Sequence, residues 1–269
     1  MSKIISVIMS CYNCEKTIHK SIDSILAQTY SDWVMICCDD GSTDGTFHIL
    51  NEYKKMYPDK FVILRNDKNM KLAYSLNRCL EYVKTDLVAR MDADDESLPE
   101  RFEKQVEFLS DHPQYMVCGT RILLLNNLSG KQHLSDIDEY PDKNTLHKKT
   151  PFNHATIMCR KEMYDILGGY TDTKTTVRCE DRDLWYRFFA KGLVGANIKE
   201  ALYSLVEDKA LIYRSTPRSR WNCFVTDIKG YKLLSYPWYK YYKPFIGLIK
   251  ILVPKRFVLF YYKQIRGRC

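Results

Sequence analysis

The chain has 269 residues, is 45% hydrophobic and carries a formal net charge of +8. That length buries one large core with room for a small appendage, and no internal repeat or low-complexity segment points to an array or a disordered scaffold. Ten cysteines at irregular positions, with an apolar strand where a secretory leader would lie, lead us to expect a reducing cytosol and thiols that pack as small hydrophobes.

In chain order, short continuous apolar runs predict buried strands at 4–9, 33–38, 61–64 and 86–91, separated by helical patterns near 15–27, 46–56 and 73–84. That alternation implies a parallel sheet with right-handed crossovers. A helix at 99–110 and a strand at 115–124 follow, then a polar, turn-rich excursion from Asn126 to Lys149. Phe152 to Arg160 reads as a strand, and Lys161 to Leu167 as a helix stopped by Gly168-Gly169. Leu184, Trp185, Phe188 and Phe189 have helical spacing over Glu180 to Lys191, which sets Glu180 and Asp181 in the first turn, near the positive end of the helix dipole.

Two acidic clusters close two of the strands. Asp39-Asp40-Gly41-Ser42-Thr43-Asp44-Gly45-Thr46 follows Trp33 to Cys38, and Asp92-Ala93-Asp94-Asp95 follows Leu87 to Met91. Carboxylates just past the ends of parallel strands sit where open α/β sheets bind ligands. Two such clusters side by side repel unless a cation or a set of donors lies between them, and Mg²⁺ or Mn²⁺ suits oxygen ligands shared with substrate phosphates. The simplest reading is a metal–nucleotide site. An EF-hand loop beginning at Asp40 fails, because its twelfth position is Asn51 and a strand precedes it. Helix capping by Asp44, or by Asp95 or Ser97, is compatible with either reading. The Cys11-x-x-Cys14 pair invites a redox reading, and Cys11, Cys14, Cys37 and Cys38 a zinc site. Neither gives the acidic clusters a role.

The ordered set Ser6-Val7-Ile8-Met9-Ser10-Cys11-Tyr12-Asn13, Asp39 to Thr46, Ala89-Arg90-Met91-Asp92-Ala93-Asp94-Asp95 and Glu180-Asp181-Arg182-Asp183-Leu184-Trp185 resembles the family 2 glycosyltransferases, from about Lys3 to about Tyr203. The stretch Ser97-Leu98-Pro99-Glu100-Arg101-Phe102 brings it nearest to bacterial members that build capsular and O-antigen polysaccharides. The resemblance implies the GT-A fold: an α/β, Rossmann-like, mostly parallel sheet with helices on both faces. It implies an inverting transfer from a nucleotide-sugar donor, a UDP-sugar by expectation, to a saccharide or lipid-linked acceptor, with Mn²⁺ or Mg²⁺ as cofactor. By the same resemblance Asp94 is the metal ligand, Asp92 lies nearer the ribose and metal, and Asp39 accepts a hydrogen bond from the base. The turn Cys11-Tyr12-Asn13 flanks the nucleotide, and Asp181 is the general base. Arg78 is placed to face the diphosphate or to make a structural salt bridge. Gly169, Tyr170, Glu180 and Trp185 are candidates for the acceptor side, Trp185 having the spacing of a core residue as well. The chain departs from the family at Tyr203-Ser204-Leu205-Val206-Glu207, where relatives often have Tyr-Arg-x-His; Glu207, Arg214 and Arg218 are candidate substitutes.

From Thr216 to Cys269 there are twelve Lys or Arg and one acid, Asp227, a balance of +11 that leaves about −3 for residues 1–215. This division gives a catalytic domain, 1–215, and a basic, aromatic-rich helical extension, 216–269. The longest apolar stretch of the extension, Phe245 to Val253, is broken by Lys250 and falls short of the roughly 20 residues that span a bilayer. Basic segments with interfacial Trp and Tyr lie on anionic membrane surfaces, so the extension predicts peripheral binding to the cytoplasmic face of the membrane rather than to nucleic acid; a helical lid is the competing account. Two other classes remain open. A nucleotidyltransferase would want a glycine-rich phosphate loop that Ser10-Cys11-Tyr12-Asn13 does not offer, and a non-catalytic scaffold of the same fold would bind nucleotide or membrane.

Overall fold

The computed structural model describes residues 4–126, 132–207 and 216–249. Arg214 and the extension from Lys250 onward, with Phe257, Phe260, Tyr261 and Tyr262, lie outside the described residues.

The first half alternates as its apolar runs require: β1 (Ile5–Cys11), α1 (Ile18–Leu26), β2 (Trp33–Asp39), α2 (Thr46–Met56), β3 (Phe61–Arg65), α3 (Leu72–Glu81) and β4 (Leu87–Arg90). Every residue of β4 is buried and β1 is nearly so, as expected for strands covered on both faces. The order β3-β2-β1-β4 is parallel throughout.

Beyond β4 the sheet changes character. A two-residue β5 (Glu96–Ser97), α4 (Arg101–Asp111), β6 (Val117–Asn126) and β7 (Gln132–Leu134) come first. Then follow α5 (Lys143–Lys148), β8 (Met158–Arg160), α6 (Lys161–Leu167), α7 (Glu180–Ala190) and β9 (Gly195–Glu207). The order continues β4-β8-β6-β9-β5, with β7 paired to β6. Here β8 is antiparallel to both neighbours, β6 and β9 are parallel, and β5 and β7 are antiparallel. The sheet is therefore mixed, and the parallel part is the half that carries the acidic clusters. The strand expected over 152–160 shrinks to β8 because His154–Thr156 forms a 3₁₀ turn. Asn153 nucleates it, its carbonyl accepting both the amide and the hydroxyl of Thr156 at 2.8 Å.

Helices cover both faces. On one, Ile18, Ile22 and Ile25 of α1, Leu50 of α2 and Phe102 of α4 pack on Ile5, Val7 and Met9. On the other, Leu76 of α3, Met163 of α6 and Trp185 and Phe188 of α7 pack on Ile8 and Ile36. The period-two split of β1 between the two cores is the pleat at work.

Two further helices, α8 (Pro217–Leu233) and α9 (Tyr242–Ile249), close the described chain. Thr216 and Ser219 form a capping box ahead of Pro217, which starts α8 cleanly. Tyr231 of α8 and Tyr236 after it are buried in the α7-side core, so this part of the extension packs on the catalytic body. Among the described residues no helix is long and apolar enough to cross a membrane.

One expectation about the cysteines is overturned. Cys179, at the N-cap of α7, is joined to Cys223 of α8 by a disulfide, with Cα atoms 5.7 Å apart. The two are 44 residues apart, with no spacing motif to announce them. The other described cysteines are free, and Cys11, Cys37, Cys38, Cys79, Cys118 and Cys159 are buried as small hydrophobes.

Candidate active site

Strands β1, β2 and β3 end level, with Cys11 opposite Asp39 and Asp39 opposite Arg65. The loops after β1 and β2 are sewn together. The Asn13 amide donates to Ser42 Oγ (3.0 Å), the Thr43 amide to Asn13 Oδ1 (2.9 Å), the Cys14 amide to Thr46 Oγ1 (2.9 Å) and the Gly45 amide to Glu15 Oε2 (2.7 Å). Asn13 takes a left-handed φ of 50°, which Asn tolerates better than most residues, and Tyr12 stands exposed beside it. The Cys14 thiol is raised by its hydrogen bond with Cys11 and by burial, the opposite of an activated redox pair.

The two acids of the first cluster divide their work. Asp39 is fully buried. Its Oδ1 accepts the Ser42 amide at 3.3 Å, while its Oδ2 has no hydrogen-bond partner, the Arg65 Nε being 3.2 Å away but misaligned. Asp40 instead builds the loop after β3, accepting Asn66 Nδ2 (2.7 Å), the Met70 amide (2.8 Å) and the Lys71 amide (2.9 Å). Gly41 has φ 71°, and a Cβ there would lie 2.7 Å from the Lys68 backbone, so only glycine lets the two loops meet. Arg78 reaches the same loop from behind, donating to the Arg65 carbonyl (2.8 Å) and Asn66 Oδ1 (2.5 Å). These bonds brace the β3–α3 loop; of the two roles that the sequence leaves open for Arg78, facing the diphosphate or a structural salt bridge, they resemble the second, with a carbonyl and an amide oxygen as acceptors.

The second cluster rests on a buried cation that the sequence reading passed over. Arg90, the last residue of β4 and 3% exposed, grips Asp92 with both Nη atoms, at 2.7 and 3.2 Å. Burial opposes its charge, and Asp92 together with Tyr170 and Tyr203 outweighs that and keeps it protonated. The Arg90 carbonyl is held by Arg101 Nη2 at 2.8 Å, and Arg101 is itself completely buried, its pKa pushed down to about 10 by desolvation. The Asp92 amide donates to the Tyr203 hydroxyl of β9 at 3.2 Å. Asp94 is exposed, whereas Asp95 is buried and pushed up to about 8, first by desolvation and then by the charges of Asp92 and Asp94.

These oxygens suit a hard divalent cation, and the field of Asp92 and Asp94 that helps to raise Asp95 marks a place where one is electrostatically welcome. No three His, Cys, Asp or Glu side chains among the described residues are grouped to cage a metal. Asp94, with Asp92 beside it, fits a cation completed by substrate phosphates, the usual habit of Mg²⁺.

On α7, Glu180 is raised by burial and then by Asp181 beside it, while Arg90 acts to lower it. Asp181 Oδ1 accepts the Arg182 amide at 2.8 Å, and Asp181 lines a cavity of about 20 Å³ with Thr150, Pro151 and Trp185. The aromatics expected on the acceptor side are interior. Trp185 is fully buried against Phe152, with ring centroids 4.8 Å apart, and Tyr170 is 3% exposed. Tyr170 is fixed by Asn77 of α3, which bonds both its amide and its carbonyl at 2.8 Å, and Gly169, at φ 71°, makes that approach possible. The Tyr170 hydroxyl lies 2.8 Å from both His154 Nε2 and the Tyr164 hydroxyl. His154 is buried and its pKa is well below the usual histidine value, through desolvation and then the nearby Arg90. Arg90 thus acts electrostatically on Asp92, Glu180 and His154, joining the strand cluster to the helix cluster. Only its position was a signal: a lone charge closing a buried apolar strand.

The family model described as Glycosyl transferase family 2 matches residues 6–166. The chain is 46% identical over 204 residues to the putative glycosyltransferase EpsE of Bacillus subtilis, covering 76% of this chain and 73% of that protein. It is 29% identical over 235 residues to the amylovoran biosynthesis glycosyltransferase AmsE of Erwinia amylovora, covering 85% and 84%. Among solved structures, S. aureus TarS (residues 1–349) in complex with UDP-GlcNAc superposes with a TM-score of 0.68 at 16% identity, covering 93% of this chain and 71% of that one; at that identity the likeness speaks for the fold. The acids at the ends of β2 and β4, the Glu-Asp start of α7 and the match across the sheet converge on one assignment: the chain belongs to glycosyltransferase family 2.

Proposed function

We propose that this glycosyltransferase moves a sugar, with inversion, from a UDP-sugar to a hydroxyl of a saccharide or lipid-linked acceptor in cell-surface polysaccharide synthesis. The observation that carries the reading is the Asp39 carboxylate, wholly buried at a strand end with one oxygen lacking a hydrogen-bond partner. With Arg65 offering it an ion pair at 3.2 Å and no hydrogen bond, that oxygen still has room for a donor from a ligand, and an imide N–H of a pyrimidine base is such a donor. Tyr12 and Asn13 flank the base and ribose, and Cys11 lies beneath them. The Asp40 loop, braced by Arg78, shapes the same end.

In the transfer, Asp181 takes the proton of the acceptor hydroxyl as its oxygen bonds to the anomeric carbon. The bond from that carbon to the diphosphate breaks on the opposite face, and UDP leaves with the electron pair. Arg90 holds Asp92 in place toward the ribose and diphosphate, and Glu180, Gly169 and Tyr170 fix the ground around Asp181. A divalent cation held by Asp94 and Asp92 would supply Lewis-acid stabilisation of the leaving diphosphate.

Residues 1–215 form the catalytic unit in this reading. The basic extension 216–269 sets it on the cytoplasmic face of the membrane, where nucleic acid has no part. Calorimetry with UDP tests the donor end: affinity rises at least about tenfold when Mn²⁺ is added, and equal affinity with and without the metal overturns the metal assignment. Co-sedimentation with anionic and neutral vesicles tests the extension. Protein lacking residues 250–269 loses salt-sensitive binding to the anionic ones, since each basic residue contributes on the order of 1 kcal/mol; unchanged binding sinks the membrane assignment.

A further inference from the structure

A second cavity, of about 530 Å³, lies between α5, α7, α8 and α9, away from the strand ends. Its polar lining is strongly one-signed: Arg178, Arg182, Arg220 and Lys243 against the single carboxylate of Asp227. That carboxylate is consumed. Arg182 Nη1 donates to both its oxygens, at 2.8 and 2.6 Å, and the Tyr186 hydroxyl donates to Oδ1 at 2.9 Å. His147, also in the lining, has its pKa lowered, by burial first and also by Lys243 and Lys240, so it adds no anion and little charge. The cavity is a cationic hole of net +3 whose one internal acid is already paired.

Beside the cations the lining is apolar. Phe224 and Ile246 belong to it, and Phe224 is stacked edge-on against Phe245 at 5.1 Å and packs on Trp221 at 5.6 Å. Trp221, Phe245, Ile246 and Ile249 are exposed, so this lining runs out onto an uncovered apolar edge of α8 and α9. Two of the lining residues, Leu146 and Arg182, are shared with the small cavity that holds Asp181. Arg178, immediately before the Cys179 N-cap, is held at φ 65°, a left-handed conformation uncommon for arginine, beside the bridge that ties α7 to α8.

We infer that this cavity seats the phosphate-bearing end of the lipid-linked acceptor, its hydrocarbon lying along α8 and α9 and its sugar directed to Asp181. An anionic group joined to an apolar chain is the chemistry that matches a paired-out cationic hole opening onto an apolar edge. Guanidinium groups bind phosphate oxygens with bidentate geometry, which suits Arg178 and Arg220. The inference rests on the reading of Asp181 as the base, but its binding test does not.

The test uses the full-length protein and farnesyl diphosphate as the probe, with UDP as a separate ligand. Farnesyl diphosphate binds the wild type without being displaced by UDP. The double variant Arg178→Gln/Arg220→Gln weakens it by about tenfold or more, while UDP affinity is unchanged. Arg178→Lys/Arg220→Lys restores part of the loss. Displacement of the probe by UDP places it in the donor site and overturns the inference. So does equal binding of uncharged farnesol by the wild type, which needs no variant to fold, or full probe binding by the Gln pair. Loss of UDP binding in the wild type would instead count against the donor reading and leave the probe result standing.

Discussion

The two ends proposed for donor and acceptor, the strand ends and the start of α7, are built in different ways, and they are called the donor end and the acceptor end in that sense. At the donor end, backbone amides of three adjacent loops are tied to short polar side chains, Asn13, Ser42, Asp40 and Thr46. At the acceptor end, α7 is held by buried aromatics, the Arg182–Asp227 pair and a bridge to Cys223. The donor end is made from loops that follow buried strands. The acceptor end is made from a helix tied to α8 by an ion pair and a disulfide, so a change in α8 reshapes it while the strand ends stay as they are. A transferase that keeps its donor and varies its acceptor would be organised this way.

The largest effect that separates the two ends is expected at Asp181. Asp181→Asn lowers transfer by about 10²-fold or more, roughly 2.7 kcal/mol of barrier, with UDP affinity unchanged. Removing a base used only in the transition state lowers kcat without loosening the ground state. Near wild-type turnover in the variant transfers the role to Glu180.

Gly41→Ala attacks the other end. Its positive φ and the 2.7 Å approach to Lys68 lead to a loss of about 2 kcal/mol in chemical denaturation together with weaker UDP binding. If stability falls and UDP binding does not, the donor end is less tightly coupled than described.

The smallest effect lies between the ends, at His154. Its folded-state pKa is depressed below the ordinary 6.5 by burial and by Arg90, so the unfolded chain takes up a proton that the native state refuses. Stability is therefore intact above 6.5 and falls as pH drops through it, by about 1.4 kcal/mol at one unit below. His147 is depressed in the same sense, whereas Asp95, raised to about 8, favours the folded state as pH falls. The readout is therefore the difference between wild type and His154→Gln from pH 7.5 to 5.5. The variant loses about 1.4 kcal/mol less, and parallel losses would remove His154 from the account.

What was legible follows the same division. Buried parallel strands announce themselves as apolar runs, and the acids that close β2 and β4 stand in plain view at their ends, so the first half of the sheet and the place of Asp39, Asp92 and Asp94 at its strand ends were readable. The mixed half was not. β8 is three residues long, and a polar turn set by Asn153 consumes the rest of its apolar run. Arg90, Tyr203 and His154 gain their roles from contacts with segments up to 111 residues away, which no local pattern encodes. The helical spacing of α7 was readable, but spacing alone does not tell an interior Trp185 from a surface wall.

The Cys179–Cys223 bridge has a consequence for the unfolded chain. It closes a loop across a separation of 44 residues, and in the chain-entropy account such a closure removes about 4 kcal/mol of denatured-state freedom. In a compartment that keeps thiols reduced, that contribution vanishes, and α8 is held by the Arg182–Asp227 pair, the bonds of Asn222 and Thr226 to the Val177 and Thr175 carbonyls and the packing of Tyr231. The acceptor half then melts more easily than the strand ends, and the same polypeptide has two stabilities, set by the thiol poise around it.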